Sequence, residues 1–140
     1  MSWDSYVQSL MSGDNCQDAA ILGYNDGNKS VWASVPGGIF SAITTQEIDT
    51  LTGRERQSFF TNGLTLGSKK CSVLRDNLND DGDWTMDIRT KSQSGEPTYN
   101  ISVGKAIKAL VLVMGKDGTH GGTLNKKAHE MAKYLRENGY

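Results

Sequence analysis

Residues 99–114 read YNISVGKAIKALVLVM. Two apolar runs rich in β-formers, Tyr99–Val103 and Ala106–Met114, stand with only Gly104 and Lys105 between them. A link that short cannot hold a crossover helix, so the two strands pair antiparallel. The second run is apolar almost throughout, as a strand covered on both faces must be, and it is placed centrally in its sheet. Working outward, Trp84, Met86 and Ile88 alternate with polar residues behind the turn Asn79-Asp80-Asp81-Gly82, which predicts a hairpin with Cys71–Leu74. Leu64–Leu66, Ala19–Tyr24 and Val31–Val35 read as further strands, the last two separated by the turn cluster Asn25-Asp26-Gly27-Asn28.

The two ends are helical. Trp3, Tyr6, Val7, Leu10 and Met11 share one face of a helix over residues 2–12, with Ser2 and Gly13 as its start and stop signals. Leu124, Ala128, Met131, Ala132 and Leu135 repeat that spacing near the C-terminus, with Thr123 as N-cap and Gly139 as the end. Between them, Thr44 with Glu47 is a capping box for a short helix to about Leu51, and Arg54 to Phe59 predicts another helical turn. The expected fold is α+β, a mostly antiparallel sheet in one domain spanning residues 1–140.

The composition sets limits. At 140 residues and 15.3 kDa, area scaling gives about 7,000 Å² for the folded surface, so two thirds of the chain's surface is buried without staples. Net charge is −1, which removes bulk basicity as an argument for nucleic-acid binding. The charge is uneven: residues 1–68 carry three basic and seven acidic side chains, residues 69–140 twelve and nine. A basic patch in the second half is compatible with that, as is an ordinary mixed solvated surface. Two cysteines, Cys16 and Cys71, and no signal-like opening point to a cytosolic chain with reduced thiols. The sequons at Asn28 and Asn100 would then stay unmodified.

Several chemistries fail on spacing. Asn77, Asn79, Asp81 and Gly82 match half a calcium loop, but its twelfth position is Ile88 where a Glu is needed. The glycine-rich run GKDGTHGG at 115–122 leads into a helix without the Gly-Lys-Ser/Thr of a phosphate loop, so it reads as a capped turn or as a recognition loop. His120 and His129 form no zinc spacing with the two cysteines, and no nucleophile motif is present. Catalysis, metal and cofactor are not expected.

The terminal helices carry more aromatic surface than a core needs. Tyr134 falls off the apolar stripe and Tyr140 is residue 140. These rings either pack between helices or form a groove for a proline-rich segment, whose flat polyproline helix offers faces to stack on and carbonyls to bond.

The wording of the chain then resembles the vertebrate-type profilins. W-x-x-Y at 3–6, CQDAAI at 16–21, VWA at 31–33, PGGIF at 36–40, NGLTLG at 62–67 and KKCSVLRD at 69–76 carry the likeness. MDIRTKS at 86–92, GEPTYN at 95–100, VMGKDGTHGG at 113–122 and LNKKAHEMA at 124–132 extend it along the whole chain. The resemblance implies a central antiparallel sheet with the terminal helices side by side on one face and short helices on the other. It implies a partner of actin monomers that speeds nucleotide exchange on actin, binds proline-rich segments of assembly factors, and binds phosphoinositide headgroups. A monomer is the default expectation, since the sequence pattern shows no exposed seam.

Residue by residue, the resemblance maps the proline-binding groove onto Trp3, Tyr6, Trp32, Tyr134, Leu135 and Tyr140. It maps the actin face onto Phe60, Lys70, Val73, Arg75, Arg89, Lys91, Thr98, Asn100, His120, Gly122, Asn125, Lys126, His129 and Glu130, with Phe60 and Val73 as apolar anchors. Headgroup binding maps onto Lys70, Arg89, Lys91, Lys126 and Arg136. Thr119 and His129 depart from the family's usual wording on the actin side, and Glu137 stands where a basic residue is common. The other reading compatible with these departures is a profilin-fold adaptor that keeps the proline groove with weak or no actin binding.

Overall fold

The computed structural model describes residues 2–25 and 29–140. The chain runs α1 (Trp3–Met11), β1 (Cys16–Gly23), β2 (Ser30–Ser34), a 3-10 turn (Ile39–Ala42), α2 (Thr45–Thr52), α3 (Ser58–Asn62), β3 (Leu64–Leu66), β4 (Lys69–Asn77), β5 (Thr85–Thr90), β6 (Asn100–Lys105), β7 (Ala109–Gly115) and α4 (Gly121–Glu137). The strands form one antiparallel sheet in the order β2-β1-β7-β6-β5-β4-β3. The accessible surface is 7115 Å², close to the scaling expectation.

Topology explains the two faces. β2 and β3 lie at opposite edges of the sheet, so the chain between them must cross one whole face. The 3-10 turn, α2 and α3 make that crossing and bury Phe40, Ile48, Leu51 and Phe59 against Leu22, Leu112, Ile88 and Val103. The opposite face receives α1 and α4, whose Val7, Leu10, Leu124, Ala128, Ala132 and Leu135 meet Ala19, Ile21, Val111 and Val113. β7 feeds both cores by simple alternation, and every one of its residues is buried. Gly104 lets α4 settle: a Cβ there would lie 2.5 Å from the Ala128 carbonyl oxygen.

Local signals largely hold. The Thr44–Glu47 capping box forms, with Thr44 N and Glu47 N each donating to the other residue's side chain at 3.1 Å. Glu47 also accepts from Thr65 Oγ1 at 2.7 Å, Gly67 N at 2.9 Å and Ser68 N at 3.0 Å. The hairpin β4–β5 forms across the predicted turn. The turn predicted at Asn25–Asn28 lies largely outside the described residues.

Four expectations need correction. α4 begins at Gly121 with His120 as its cap residue, so Thr123 is inside the helix. The helical turn predicted at Arg54–Phe59 starts only at Ser58, because Arg56 is drawn back to bond the Leu51 and Gly53 carbonyls and Asp76. Residues 106–108 form the β6–β7 turn rather than the start of a strand. Trp84 precedes β5 with φ of 49° and sits against the Arg136 guanidinium, 4.2 Å from its ring centroid.

Candidate functional site

α1 and α4 lie antiparallel on the sheet. Tyr6 stands opposite Tyr134, ring centroids 6.1 Å apart, while Lys127 Nζ donates to the Leu10 carbonyl at 2.8 Å. At the Trp3 end of this pair the rings form a continuous surface. Trp3 lies 5.4 Å from Tyr6, 4.8 Å from Trp32 and 5.0 Å, edge-on, from Tyr140. Each such pair contributes about 0.5–1.5 kcal/mol beyond area burial. The wall is therefore preorganised in the free protein.

Trp32 reaches a helical groove from β2 because Gly23, beside it on β1, has no side chain. A Cβ at Gly23 would overlap the Trp32 indole. Tyr140 is held by its backbone: its N–H donates to the Leu135 carbonyl at 2.8 Å, and its carbonyl accepts from Ala109 N at 3.0 Å and from Lys108 N. Tyr134 and Tyr140 remain 43% exposed, so the rings are presented rather than packed away. Partial burial, with the neighbouring phenols of Tyr134 and Tyr140, pushes the Tyr6 phenol up. Leu135 is completely buried and props the wall from below instead of lining it.

The second candidate face covers β4, β5, β6 and the N-terminal part of α4, and it is built from polar side chains that bond to each other. Arg75 donates to Asp87 at 2.9 Å, Asp83 at 3.0 Å and Thr85 at 2.7 Å. Asp87 in turn accepts from Ser102 at 2.8 Å and from Asn125 of α4 at 3.0 Å. Burial works against ionising Asp83, but hydrogen bonds from Thr85, Asn77 and Arg75 outweigh it and hold the carboxyl below its usual range. Arg89 donates to Thr98 and Asn100, both at 2.8 Å, and Asn100 Nδ2 donates to the Thr119 carbonyl at 3.0 Å. The Thr119 hydroxyl ties the glycine-rich loop to the Asn15 carbonyl at 3.1 Å. That departure from the family's wording is absorbed as a loop contact.

A β-bulge sets this face. Between Val73 and Arg75 the β4 register shifts, which brings Arg75 opposite Asp87. With strict alternation Arg75 would share the apolar face of Cys71 and Val73. Val73 itself belongs to the core under the short helices and is 8% exposed, so it is not the surface anchor that was expected. Leu74, at the bulge, is 56% exposed and was missed; no pattern in the sequence announces a bulge. Phe60 is exposed on α3, and His120, Gly122, Lys126 and Glu130 are exposed along α4. His129 is half-buried on the same helix.

The cationic residues divide. Lys70 and Lys91 meet across β4 and the end of β5, where Lys91 N donates to the Lys70 carbonyl at 2.9 Å, and alternation puts Arg89 on the same side. Lys126 lies in the groove facing α1. Arg136 is ten residues further along α4, about 15 Å away. Its guanidinium is spent on Trp84 and on the Lys105 carbonyl, so the five cations expected to act together do not form one cluster.

A preformed aromatic groove on one side and a hydrogen-bonded polar face on the other define a ligand-binding module. The chain belongs to the profilin family, whose model, described as Profilin, matches residues 1–140. It is 64% identical over 138 residues to Profilin-2 of Bos taurus, covering 99% of this chain and 98% of that one. It is 56% identical over 138 residues to Profilin-1 of Mus musculus, with the same coverage. Among solved structures, mouse Profilin IIa in complex with a double repeat from the FH1 domain of mDia1 superposes with a TM-score of 0.97 at 63% identity, covering all of both chains. Human profilin II gives 0.94 at 65% identity, covering 97% of this chain and 99% of that one.

Proposed function

We propose that this chain is a cytoplasmic, monomeric actin-monomer-binding protein that brings proline-rich assembly factors to actin and promotes nucleotide exchange on it. The observation that carries the proline-binding half is the wall of Trp3, Tyr6, Trp32, Tyr134 and Tyr140. Rings held in place beforehand stack on a ligand whose backbone is also preset, so little ordering entropy opposes binding. Indole N–H and phenol O–H groups at the rim suit the unpaired carbonyls of a polyproline helix. A relative 63% identical was solved with an FH1 repeat, which supports the same role here.

Actin binding is supported by the polar face. Arg75 and Asn125 are both fixed on Asp87, Arg89 is fixed on Asn100, and Phe60 and Leu74 add exposed apolar surface. Cations held this way steer an acidic partner and fix register more than they add raw affinity. Faster nucleotide release results if the bound state favours an open conformation of actin; no chemistry by this chain is required. Headgroup binding rests on Lys70, Lys91 and Arg89, without Arg136.

The test is calorimetry with a decaproline peptide against the protein and its W3A variant. Binding by the first and loss in a folded W3A is the expected result. Equal binding by both removes the aromatic wall as the site.

A further inference from the structure

Trp84 is not one of the rings of the wall, yet its contacts lead to Tyr140. Its backbone is left-handed, with φ of 49°, a conformation a bulky residue keeps only where its surroundings hold it there. Its N–H donates to the Asp80 carbonyl at 3.0 Å, at the end of the β4–β5 turn. Its half-buried ring lies against the Arg136 guanidinium, 4.2 Å from centroid to Cζ.

Three residues then close a loop of contacts. The Trp84 ring carries the Arg136 guanidinium, Arg136 Nη1 donates to the Lys105 carbonyl, and Lys105 N donates back to the Trp84 carbonyl at 2.9 Å. Arg136 has no ion pair among the described residues, so the ring and the carbonyl are what hold its head group. Arg136 stands in the last turn of α4. Its own carbonyl accepts from Gly139 N at 3.1 Å, and Gly139, with φ of 88°, turns the chain into Tyr140. The Tyr140 carbonyl accepts from Lys108 N and, at 3.0 Å, from Ala109 N. The β6–β7 turn is therefore gripped at both ends, by the Arg136 side chain at Lys105 and by the Tyr140 backbone at Lys108 and Ala109. A chain end frays unless it is tied down, and these are the ties that keep the Tyr140 ring edge-on to Trp3 at 5.0 Å.

We propose that Trp84 is a positioning residue for the proline groove: by holding the Arg136 side chain on the Lys105 carbonyl it fixes the last turn of α4, and with it the place of the Tyr140 ring in the wall. The inference rests on the proline-binding reading above. Trp84 acts through Arg136 and meets no ligand itself.

A double-mutant cycle read by calorimetry with decaproline tests it, on variants whose far-ultraviolet circular dichroism is unchanged. W84A is expected to weaken decaproline binding about threefold, within what one ring–cation pair supplies. R136M, which keeps the stem and loses the guanidinium, is expected to lose the same factor, and W84A with R136M no more than either alone. W84F keeps a ring face for the guanidinium and is expected to restore most of the affinity. In a Y140A background, already weakened by the missing ring, neither W84A nor R136M is expected to cost anything further. A structural role alone would lower the unfolding midpoint without lowering the affinity of the folded protein. Should W84A fail to fold, R136M read with and without Y140A decides the question. Decaproline affinity left unchanged by R136M and by any folded W84A, or a loss of the same size in the Y140A background, overturns the proposal with the aromatic wall intact. Failure of decaproline to bind the unaltered protein overturns the wall reading, and this one with it.

Discussion

The two faces of this domain are built on opposite plans. The aromatic wall is made of large rings in tilted and edge-on contact, with Tyr134 and Tyr140 left 43% exposed. The polar face is made of side chains whose bonding capacity is largely consumed within the protein. The first is a site waiting for a ligand of its own flatness. The second is a rigid template, where a partner meets groups already fixed in place. Losing one ring should therefore cost ligand affinity and spare the fold, whereas losing one member of the network should cost the fold as well.

The largest contrast is expected from W3A. Trp3 touches Tyr6, Trp32 and Tyr140, so truncation should remove about 2–4 kcal/mol of decaproline affinity by calorimetry, with the far-ultraviolet circular dichroism unchanged. G23A sharpens the point from below. Its Cβ takes the place of the Trp32 indole, so it should weaken decaproline binding and lower stability by about 1–3 kcal/mol in urea unfolding. On the other face, D87A removes the acceptor that Arg75, Ser102 and Asn125 share and should cost about 1–2 kcal/mol in the same assay while leaving decaproline binding intact. The smallest change is expected from Y134F, which keeps the ring and loses one hydroxyl. It should shift decaproline affinity by less than about 1 kcal/mol.

A pH test separates the interior from both faces. Burial pushes the Cys71 thiol from 9.0 up to about 11. The folded state favours the protonated thiol, so that contribution to stability is complete below pH 9 and is lost as pH rises toward 11. In native protein at pH 8 the thiol should resist iodoacetamide until denaturant is added, as mass spectrometry would report.

The halves also differ in how far the sequence discloses them. The antiparallel sheet, the central place of Ala106–Met114, the β4–β5 hairpin and the terminal helices follow from short links, alternation and helical stripes, because those signals are local and periodic. The division of the helices between the two faces came with the family resemblance. The aromatic wall was legible as a surplus: Tyr134 off its stripe and Tyr140 at the end. Trp32 and Leu135 came only with the family resemblance, since the feature that brings Trp32 to the helices is a glycine on a neighbouring strand. The polar face was the least legible. Its geometry hangs on the bulge after Val73, which turns Arg75 toward Asp87, exposes Leu74 and leaves Val73 in the core. A register shift comes from pairing between strands, and no stretch of β4 read alone contains it. The misplaced start of α4 has a similar origin. The loop is tied to Asn100 and Asn15 by Thr119, and the helix begins as soon as that tie ends.

The central claim is that one small domain carries two separate faces, one for proline-rich chains and one for actin. The direct test is nucleotide release from monomeric actin as this protein is titrated in, with and without saturating decaproline. The account predicts saturable acceleration that decaproline leaves unchanged. No acceleration, or acceleration abolished by decaproline, would contradict it.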